Sequence, residues 1–148
     1  MFKKLLMKKI VITGGFGFIG KRSVNHFLSK KIEVIVLEHP ESKVPPDFPD
    51  CEIIRADLTE RLFIENLRVS NVDAVLHLAA QSSRPRSFSI PEQDVKINVI
   101  GTINTIDWCL VNNINRLLFA SSFVIYGDHP GIEMLNEEIE FKPKSVYA

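Results

Sequence analysis

The sequence predicts an α/β domain built on a doubly wound parallel sheet. Two features support this prediction. The runs Ile10–Ile12 and Val34–Leu37 are continuously apolar, which is typical of strands that helices cover on both faces. Such runs alternate with helical stretches, and this alternation favours parallel strands joined by crossover helices. We therefore predict five strands in the order 3-2-1-4-5 within one domain spanning residues 1–148, of which residues 1–8 are a leader.

Each element is predicted from its apolar pattern and from the residues at its ends. The predicted strands are Lys9–Thr13, Glu33–Glu38, Glu52–Arg55, Ala74–Leu78 and Arg116–Ser121. One predicted helix ends at about Ser29, and two more cover about Glu60–Arg68 and Pro91–Asn113. The prolines within residues 40–49, and the glycines and prolines after Ser121, predict loops.

The longest predicted helix carries one apolar stripe. Its members recur at helical spacing, at Val95, Val99, Thr102, Ile103, Ile106 and Leu110. A stripe of this kind predicts a helix face that is buried against the sheet. Trp108 and Leu117 are expected to pack in the core or in an interface, without a binding role.

Composition and charge exclude several functional classes. Eighteen Lys and Arg balance eighteen Asp and Glu, so the chain has no net field to hold a nucleic acid. No apolar stretch approaches the ~20 residues that cross a bilayer, and no apolar segment follows the Lys-rich start as in a secretory signal, so we expect a cytoplasmic protein. Cys51 and Cys109 lack the spacing of a metal site and are expected to be plain thiols, with Cys109 in the core.

Glycines three residues apart mark the turn between the first strand and the first helix. Gly14 suits a tight turn, Gly17 lets backbone amides approach a ligand, and Gly20 lets the helix pack against the strand. The helix begins near Phe18 and Ile19, where its dipole favours the negative charge of a pyrophosphate. The turn therefore predicts a dinucleotide site. The alternative is a turn that needs glycine only for its backbone conformation.

Glu38 ends the second strand, at the position from which an acidic side chain accepts hydrogen bonds from ribose hydroxyls. Because a carboxylate there repels a 2′-phosphate, NAD is favoured over NADP as the cofactor. The alternative is a solvated glutamate at a strand end. Lys21, Arg22 and His39 lie close by in the sequence and leave tolerance of a phosphate open.

Several further motifs share their order and spacing with a known family. They are Ala56-Asp57-Leu58, the segment from His77 to Gln81, the segment from Asn98 to Thr102, and the segment from Ser121 to Gly127. With the glycine turn, they make the chain from about Lys9 to Ala148 resemble an extended short-chain dehydrogenase/reductase of the NAD-dependent epimerase/dehydratase family. The resemblance implies a Rossmann fold that lacks its last strands and its C-terminal substrate lobe.

The resemblance also assigns cofactor-binding positions. It implies that Asp57 and Leu58 meet the adenine, that Leu78, Ala79, Ala80 and Gln81 line the cofactor, and that Asn98 braces the site. We assign no chemistry to His77, because an imidazole at a strand end is more often a hydrogen-bonded part of the core.

Two catalytic residues follow from the same resemblance. In the family a Ser or Thr, a Tyr and a Lys act together on a sugar hydroxyl, and Ser122 and Tyr147 match the first two. The tyrosine removes the hydroxyl proton as hydride leaves to NAD, and the serine holds the substrate oxygen. The lysine is expected at position 151, beyond the 148 residues, so we expect negligible turnover from this chain alone.

The residues after Ser122 favour one reaction within the family. Dehydratases of the family place acidic residues there, whereas this chain has Phe123 and Val124, which cannot transfer a proton. We therefore favour oxidation and re-reduction at one sugar carbon, C4 of a UDP-sugar, as in UDP-glucose 4-epimerases. The resemblance further implies a nucleotide-sugar substrate and a homodimer that pairs helix 91–113 with the helix starting at the catalytic tyrosine.

Three alternatives remain open. The chain could serve a dehydratase or reductase of the same family. It could also be a non-catalytic module that holds NAD, although such a module needs neither Ser122 nor Tyr147. Finally, it could be a structural fragment that is too incomplete to bind anything. Cofactor binding separates the last two alternatives.

Overall fold

A five-stranded parallel sheet is the centre of the part of the chain that the computed structural model describes, namely residues 7–131 and 134–148, with Ile64 by its backbone alone. The strands lie in the order β3-β2-β1-β4-β5. They are β1 (Lys9–Thr13), β2 (Glu33–Glu38), β3 (Glu52–Arg55), β4 (Ala74–His77) and β5 (Leu117–Phe119). The predicted fold class and strand order are confirmed, although β5 is shorter at both ends than predicted.

The helices depart further from the prediction. They are α1 (Phe18–Ser29), α2 (Leu62–Asn66), α3 (Arg84–Ser89), α4 (Pro91–Asp94) and α5 (Gly101–Val111). The predicted helix 60–68 shortens to α2, and α3 was not predicted. The predicted helix 91–113 contains a π-helical segment, Val95–Ile100, between α4 and α5. A π-helix closes its backbone hydrogen bonds over five residues instead of four.

The sheet separates two apolar clusters because successive side chains on a strand point to opposite faces. Ile10, Ile12 and Val36 pack with Val24 of α1 on one face. On the other face the cluster consists of Val11, Ile35, Leu37, Phe63, Val75, Trp108, Cys109 and Ile114. Trp108 and Cys109 therefore lie in the core, and burial raises the pKa of the Cys109 thiol to about 11. The core position predicted for Cys109 is confirmed.

The prediction that the apolar stripe of the long helix is buried against the sheet was wrong. Its apolar members Val95, Val99, Ile103, Ile106 and Leu110 are between 44% and 68% exposed. The face of α5 that meets the core carries Gly101, Asn104, Thr105, Trp108 and Cys109.

Hydrogen bonds explain why polar side chains can occupy the buried face of α5. The Asn104 amide donates to the carbonyl of Leu58 at 2.9 Å, and the Trp108 indole donates to the carbonyl of Leu67 at 3.0 Å. Thr105 donates to a carbonyl of its own helix. Burial of polar groups costs little when their hydrogen bonds are satisfied, so these residues face inward and the apolar stripe faces outward.

Two further predictions concern the leader at the N-terminus and helices that could span a membrane. The first six residues of the predicted leader 1–8 lie outside the described residues. Within the described ranges, every helix is too short or too polar to cross a bilayer.

Candidate cofactor-binding site

A cleft of about 770 Å³ lies at the carboxyl ends of the strands. In open α/β sheets this is the edge at which ligands bind. The cleft brings together most residues of the predicted cofactor set: Gly14, Gly17, Phe18, Ile19, Gly20, Glu38, Asp57, Leu58, Leu78, Ala79 and Ala80. Tyr147 also lines it, whereas Gln81, Asn98 and Ser122 do not.

The glycine turn forms the floor of the cleft. Gly14 has a φ of +67°, and a Cβ atom there would lie 2.8 Å from the backbone of Ala79. A Cβ atom on Gly20 would lie 2.3 Å from the carbonyl oxygen of Gly14. Both positions therefore exclude any side chain. The nearest atom to a Cβ on Gly17 would be 3.3 Å away, and Gly17 is exposed at the opening of the cleft.

The N-terminus of α1 points amide groups into the cleft. Its first helical hydrogen bond runs from the amide of Lys21 to the carbonyl of Gly17, at 2.9 Å. The amides of Phe18, Ile19 and Gly20 precede that bond, and unpaired amides at a helix N-terminus can bind an anion. This cradle of glycines and amides fits the pyrophosphate of a dinucleotide.

Glu38 is held in place by the turn and by the loop that follows β2. Its Oε2 accepts a hydrogen bond from the amide of Phe16 at 3.0 Å, and its Oε1 accepts one from the Ser42 hydroxyl at 3.1 Å. These bonds fix the carboxylate in the wall of the cleft without using all of its lone pairs. The remaining lone pairs of the Glu38 carboxylate can accept hydrogen bonds from ribose hydroxyls.

Asp57 lies across the cleft from the glycine turn, at the end of β3. Its Oδ1 accepts hydrogen bonds from the amide and the hydroxyl of Thr59, at 2.9 and 2.8 Å. Its Oδ2 lies 3.5 Å from Nε2 of His39. Partial burial alone would raise the pKa of Asp57, but the Thr59 hydrogen bonds and the charges of His39 and Lys96 outweigh it and lower the pKa. The side chain is therefore a carboxylate at neutral pH.

Gln81 and Asn98 support the loop after β4. Asn98 accepts a hydrogen bond from the amide of Gln81 at 2.8 Å and donates one to its carbonyl at 3.0 Å. The Gln81 side chain is buried and donates to Asp94 at 2.6 Å. Both residues thus fix the backbone next to Ala79 and Ala80, which do line the cleft.

His77 is buried below the same loop. Its Nδ1 lies 2.8 Å from the hydroxyl of Thr13, and its Nε2 lies 3.1 Å from the hydroxyl of Thr102. The Thr102 hydroxyl donates to a carbonyl, so it accepts from a protonated Nε2, and Nδ1 accepts from Thr13. The hydroxyl oxygen of Thr13 also accepts hydrogen bonds from the backbone amides of Leu78 and Ala79, at 3.1 Å each. The expected core role of His77 is confirmed, and its neutral form orients the wall of the cleft.

The two predicted catalytic residues occupy different surroundings. Tyr147 is half-buried in the cleft wall. Ser122 is half-buried at the start of a short 3₁₀ helix, Phe123–Ile125, and it is the neighbouring Ser121 that lines the cleft. Both residues belong to the described part of the chain, and no hydrogen bond joins them.

Sequence reasoning missed the helical wall of the cleft. Arg86, Gln93, Lys96 and Ile97 line it from α3, α4 and the π-helix. The spacing of Gln93, Lys96 and Ile97 by three and four residues was a usable signal, because such residues share one helix face. This signal was not used, because the apolar stripe of the same helix was expected to face the sheet.

The fold and the cleft define a dinucleotide-binding domain of the Rossmann type. The chain belongs to the NAD dependent epimerase/dehydratase family, which it matches over residues 10–148. NAD is thus the cofactor of its family.

Individual relatives agree with this assignment. The solved UDP-glucose 4-epimerase of Thermus thermophilus, in complex with NAD, is 31% identical and superposes with a TM-score of 0.81 over 94% of this chain and 46% of its own. The solved UDP-N-acetylglucosamine 4-epimerase of Methanobrevibacter ruminantium is 31% identical and superposes with a TM-score of 0.79 over 95% of this chain and 46% of its own. UDP-glucuronic acid decarboxylase 6 of Arabidopsis thaliana is 36% identical over 84% of this chain and 37% of its own. The chain thus spans less than half the length of these relatives.

Proposed function

We propose that this chain supplies the NAD-binding site and two catalytic residues of an epimerase that acts on a nucleotide sugar, at C4 of a UDP-sugar. The observation that carries the proposal is the single cleft that joins the glycine turn, Glu38, Asp57 and Tyr147. Because the relatives are more than twice as long as the chain, we assign the activity to the whole protein. The UDP-sugar epimerases among the relatives support the substrate class.

Each cofactor-binding residue has a task in this proposal. The amides of Phe18 and Ile19 hold the pyrophosphate, Glu38 accepts ribose hydroxyls, and the end of β3 at Asp57 and Leu58 meets the adenine. Ala79 and Ala80, whose loop Asn98 and Gln81 fix, form the opposite wall. When bound, NAD supplies a hydride acceptor for the sugar carbon.

Tyr147 and Ser122 act on the sugar hydroxyl. Tyr147, in the cleft wall, takes the hydroxyl proton and later returns it. The family resemblance assigns to Ser122, which follows the lining residue Ser121, the task of holding the same oxygen in line. Phe123 and Val124 have no proton to transfer, which favours epimerisation over dehydration.

Analysis of the reaction products of the whole protein separates the candidate reactions. An epimerase interconverts UDP-glucose and UDP-galactose, a dehydratase forms a keto-deoxy sugar, and a decarboxylase releases CO₂ from UDP-glucuronic acid.

Replacing Glu38 by glutamine tests the cofactor site. The substitution keeps one acceptor oxygen but removes the negative charge that strengthens hydrogen bonds from ribose hydroxyls and repels a 2′-phosphate. We expect affinity for NAD to fall by about 10-fold to 100-fold, the value of a charge-assisted hydrogen bond, and the preference for NAD over NADP to shrink. Calorimetric titration with each cofactor measures both effects.

Glu41→Gln is the matched control, since Glu41 lies on the loop that follows β2, is exposed and does not line the cleft. Its affinity for NAD should equal that of the unmodified protein. If the unmodified protein binds neither cofactor, the proposed function is wrong. If Glu38→Gln and Glu41→Gln bind NAD with equal affinity, Glu38 does not contact the cofactor.

We also propose that the protein is a homodimer through the exposed stripe of the π-helix and α5, which comprises Val95, Val99, Ile103, Ile106 and Leu110. Apolar side chains repeated along one exposed helix face are typical of an interface. Ile103→Lys should therefore convert the dimer into a monomer in sedimentation velocity. Val44→Lys is the control, since Val44 is 51% exposed but lies on a loop outside the stripe. A dimer that survives Ile103→Lys would contradict the assignment.

A further inference from the structure

Arg55, at the end of β3, lies beside Glu38 in the sheet. The two residues are register partners on the parallel strands β2 and β3, and the amide of the next residue, Ala56, donates to the carbonyl of Glu38 at 2.9 Å. Side chains in register on neighbouring strands point to the same face of the sheet. Glu38 lines the cofactor cleft, whereas Arg55 is exposed and does not line it. The arginine is therefore a neighbour of the carboxylate and not a wall of the cleft.

The guanidinium of Arg55 binds the turn that follows β2. Its Nη1 carries two hydrogens and donates to the carbonyls of His39 at 3.0 Å and of Ser42 at 2.7 Å. The amide of Ser42 donates to the carbonyl of His39 at 3.0 Å, so residues 39–42 form a turn, with Pro40 at its second position. Hydrogen bonds from a cation are stronger than those between neutral groups. Arg55 thus fastens both ends of the turn to β3.

Arg55 also contacts every residue that fixes the Glu38 carboxylate. Within the described residues, hydrogen bonds to this carboxylate come from the Phe16 amide at 3.0 Å, the Ser42 hydroxyl at 3.1 Å and the His39 amide at 3.4 Å. Arg55 binds the carbonyls of His39 and Ser42, and its guanidinium carbon lies 5.0 Å from the centre of the Phe16 ring. One exposed side chain therefore joins all three donors.

We propose that Arg55 is a positioning residue for the cofactor, which holds the Glu38 carboxylate in the orientation that accepts the 2′-hydroxyl of the adenosine ribose. This inference rests on the proposed function. A glutamate side chain that is free in solution samples many rotamers, and fixing it before the ligand binds removes an entropic cost from binding. Arg55 acts through the three donors and does not touch the ligand.

Arg55→Met tests the proposal through one hydroxyl of the cofactor. Methionine keeps much of the side-chain length but has no donor. NAD and 2′-deoxy-NAD have the same charge and differ in the hydroxyl that Glu38 accepts, so loss of the arginine charge affects both equally. The unmodified protein should bind NAD at least about tenfold more tightly than 2′-deoxy-NAD in calorimetric titration, as for one hydrogen bond to a charged group. Arg55→Met should reduce this ratio to about twofold or less.

Two further variants assign the effect. Ser42→Ala removes the hydroxyl donor without a change of charge and should lower the same ratio. The double variant should lower it little further, because Arg55 and Ser42 act in one chain of contacts. Arg116→Met is the matched control, since Arg116 is exposed and precedes β5 at the edge of the sheet opposite the cleft. Its ratio should equal that of the unmodified protein.

Each outcome decides the proposal. Loss of the ratio in Arg55→Met and in Ser42→Ala, with the ratio kept in Arg116→Met, supports it. An Arg55→Met variant that binds both dinucleotides more weakly but keeps their ratio overturns it, since that result marks a structural role alone. Ser42→Ala with an unchanged ratio also overturns it, because the turn then does not position Glu38. An unmodified protein that binds neither dinucleotide overturns the proposed function itself, and this inference with it.

Discussion

Gly20→Ala is expected to destabilise the domain and to abolish most of its affinity for NAD. The new Cβ atom would lie 2.3 Å from the carbonyl oxygen of Gly14 and 2.8 Å from the backbone of Gly15. Both neighbours are backbone atoms, so the strain can be relieved only if α1 moves away from the turn. Overpacking of this kind costs about 3 kcal/mol. Because the same movement displaces the amides of Phe18 and Ile19, affinity for NAD should fall about 100-fold.

Gly101→Ala is the matched control for this substitution. Gly101 is also a buried helical glycine, but the nearest atom to its Cβ would be that of Leu58 at 3.8 Å, an ordinary contact. Alanine there should raise the free energy of unfolding by up to about 1 kcal/mol through helix propensity. Urea unfolding of both variants separates the clash from the propensity effect. Equal stability of the two variants would show that α1 does not pack on the turn as described.

The sheet was predictable because its determinants are local. The apolar runs at Ile10–Ile12 and Val34–Leu37 identify strands covered on both faces, and the crossover rule then limits their order. The glycine turn was predictable for the same reason, since its three glycines lie within the seven residues 14–20, between the end of β1 and the first turn of α1. Local patterns of this kind need no knowledge of distant contacts.

The orientation of the long helix was not predictable from its pattern. Asn104 and Trp108 face the core because carbonyls of Leu58 and Leu67, more than forty residues earlier, accept their hydrogen bonds. Periodicity turns the apolar stripe inward and gives no reason to bury Asn104, although Trp108 was itself expected in the core or in an interface. The same error hid Gln93 from the candidate site. Hydrogen-bond partners that are distant in sequence decide the orientation of α5.

Acidification should destabilise the protein through His77 before any carboxylate contributes. Burial lowers the pKa of His77 from its ordinary value of 6.5 to about 4. Between these values the unfolded chain binds a proton that the folded chain does not, so the free energy of unfolding falls as the pH falls from about 6.5 to about 4. The difference of about 2.5 pH units corresponds to a loss of about 3 kcal/mol. The lowered pKa values of Asp57 and Asp73 act in a separate window, below their ordinary value of 3.8.

Urea unfolding between pH 7 and pH 4 measures this loss, and two variants assign it. His77→Gln removes the titrating group, so its free energy of unfolding should be lower at pH 7 but nearly constant across the window. His26→Gln, at an exposed position of α1, should keep the full pH dependence. Equal slopes in His77→Gln and the unmodified protein would refute the assignment. Because neutral His77 orients Thr13, whose oxygen accepts the amides of Leu78 and Ala79, the protonation that destabilises the fold also loosens the wall of the cofactor cleft.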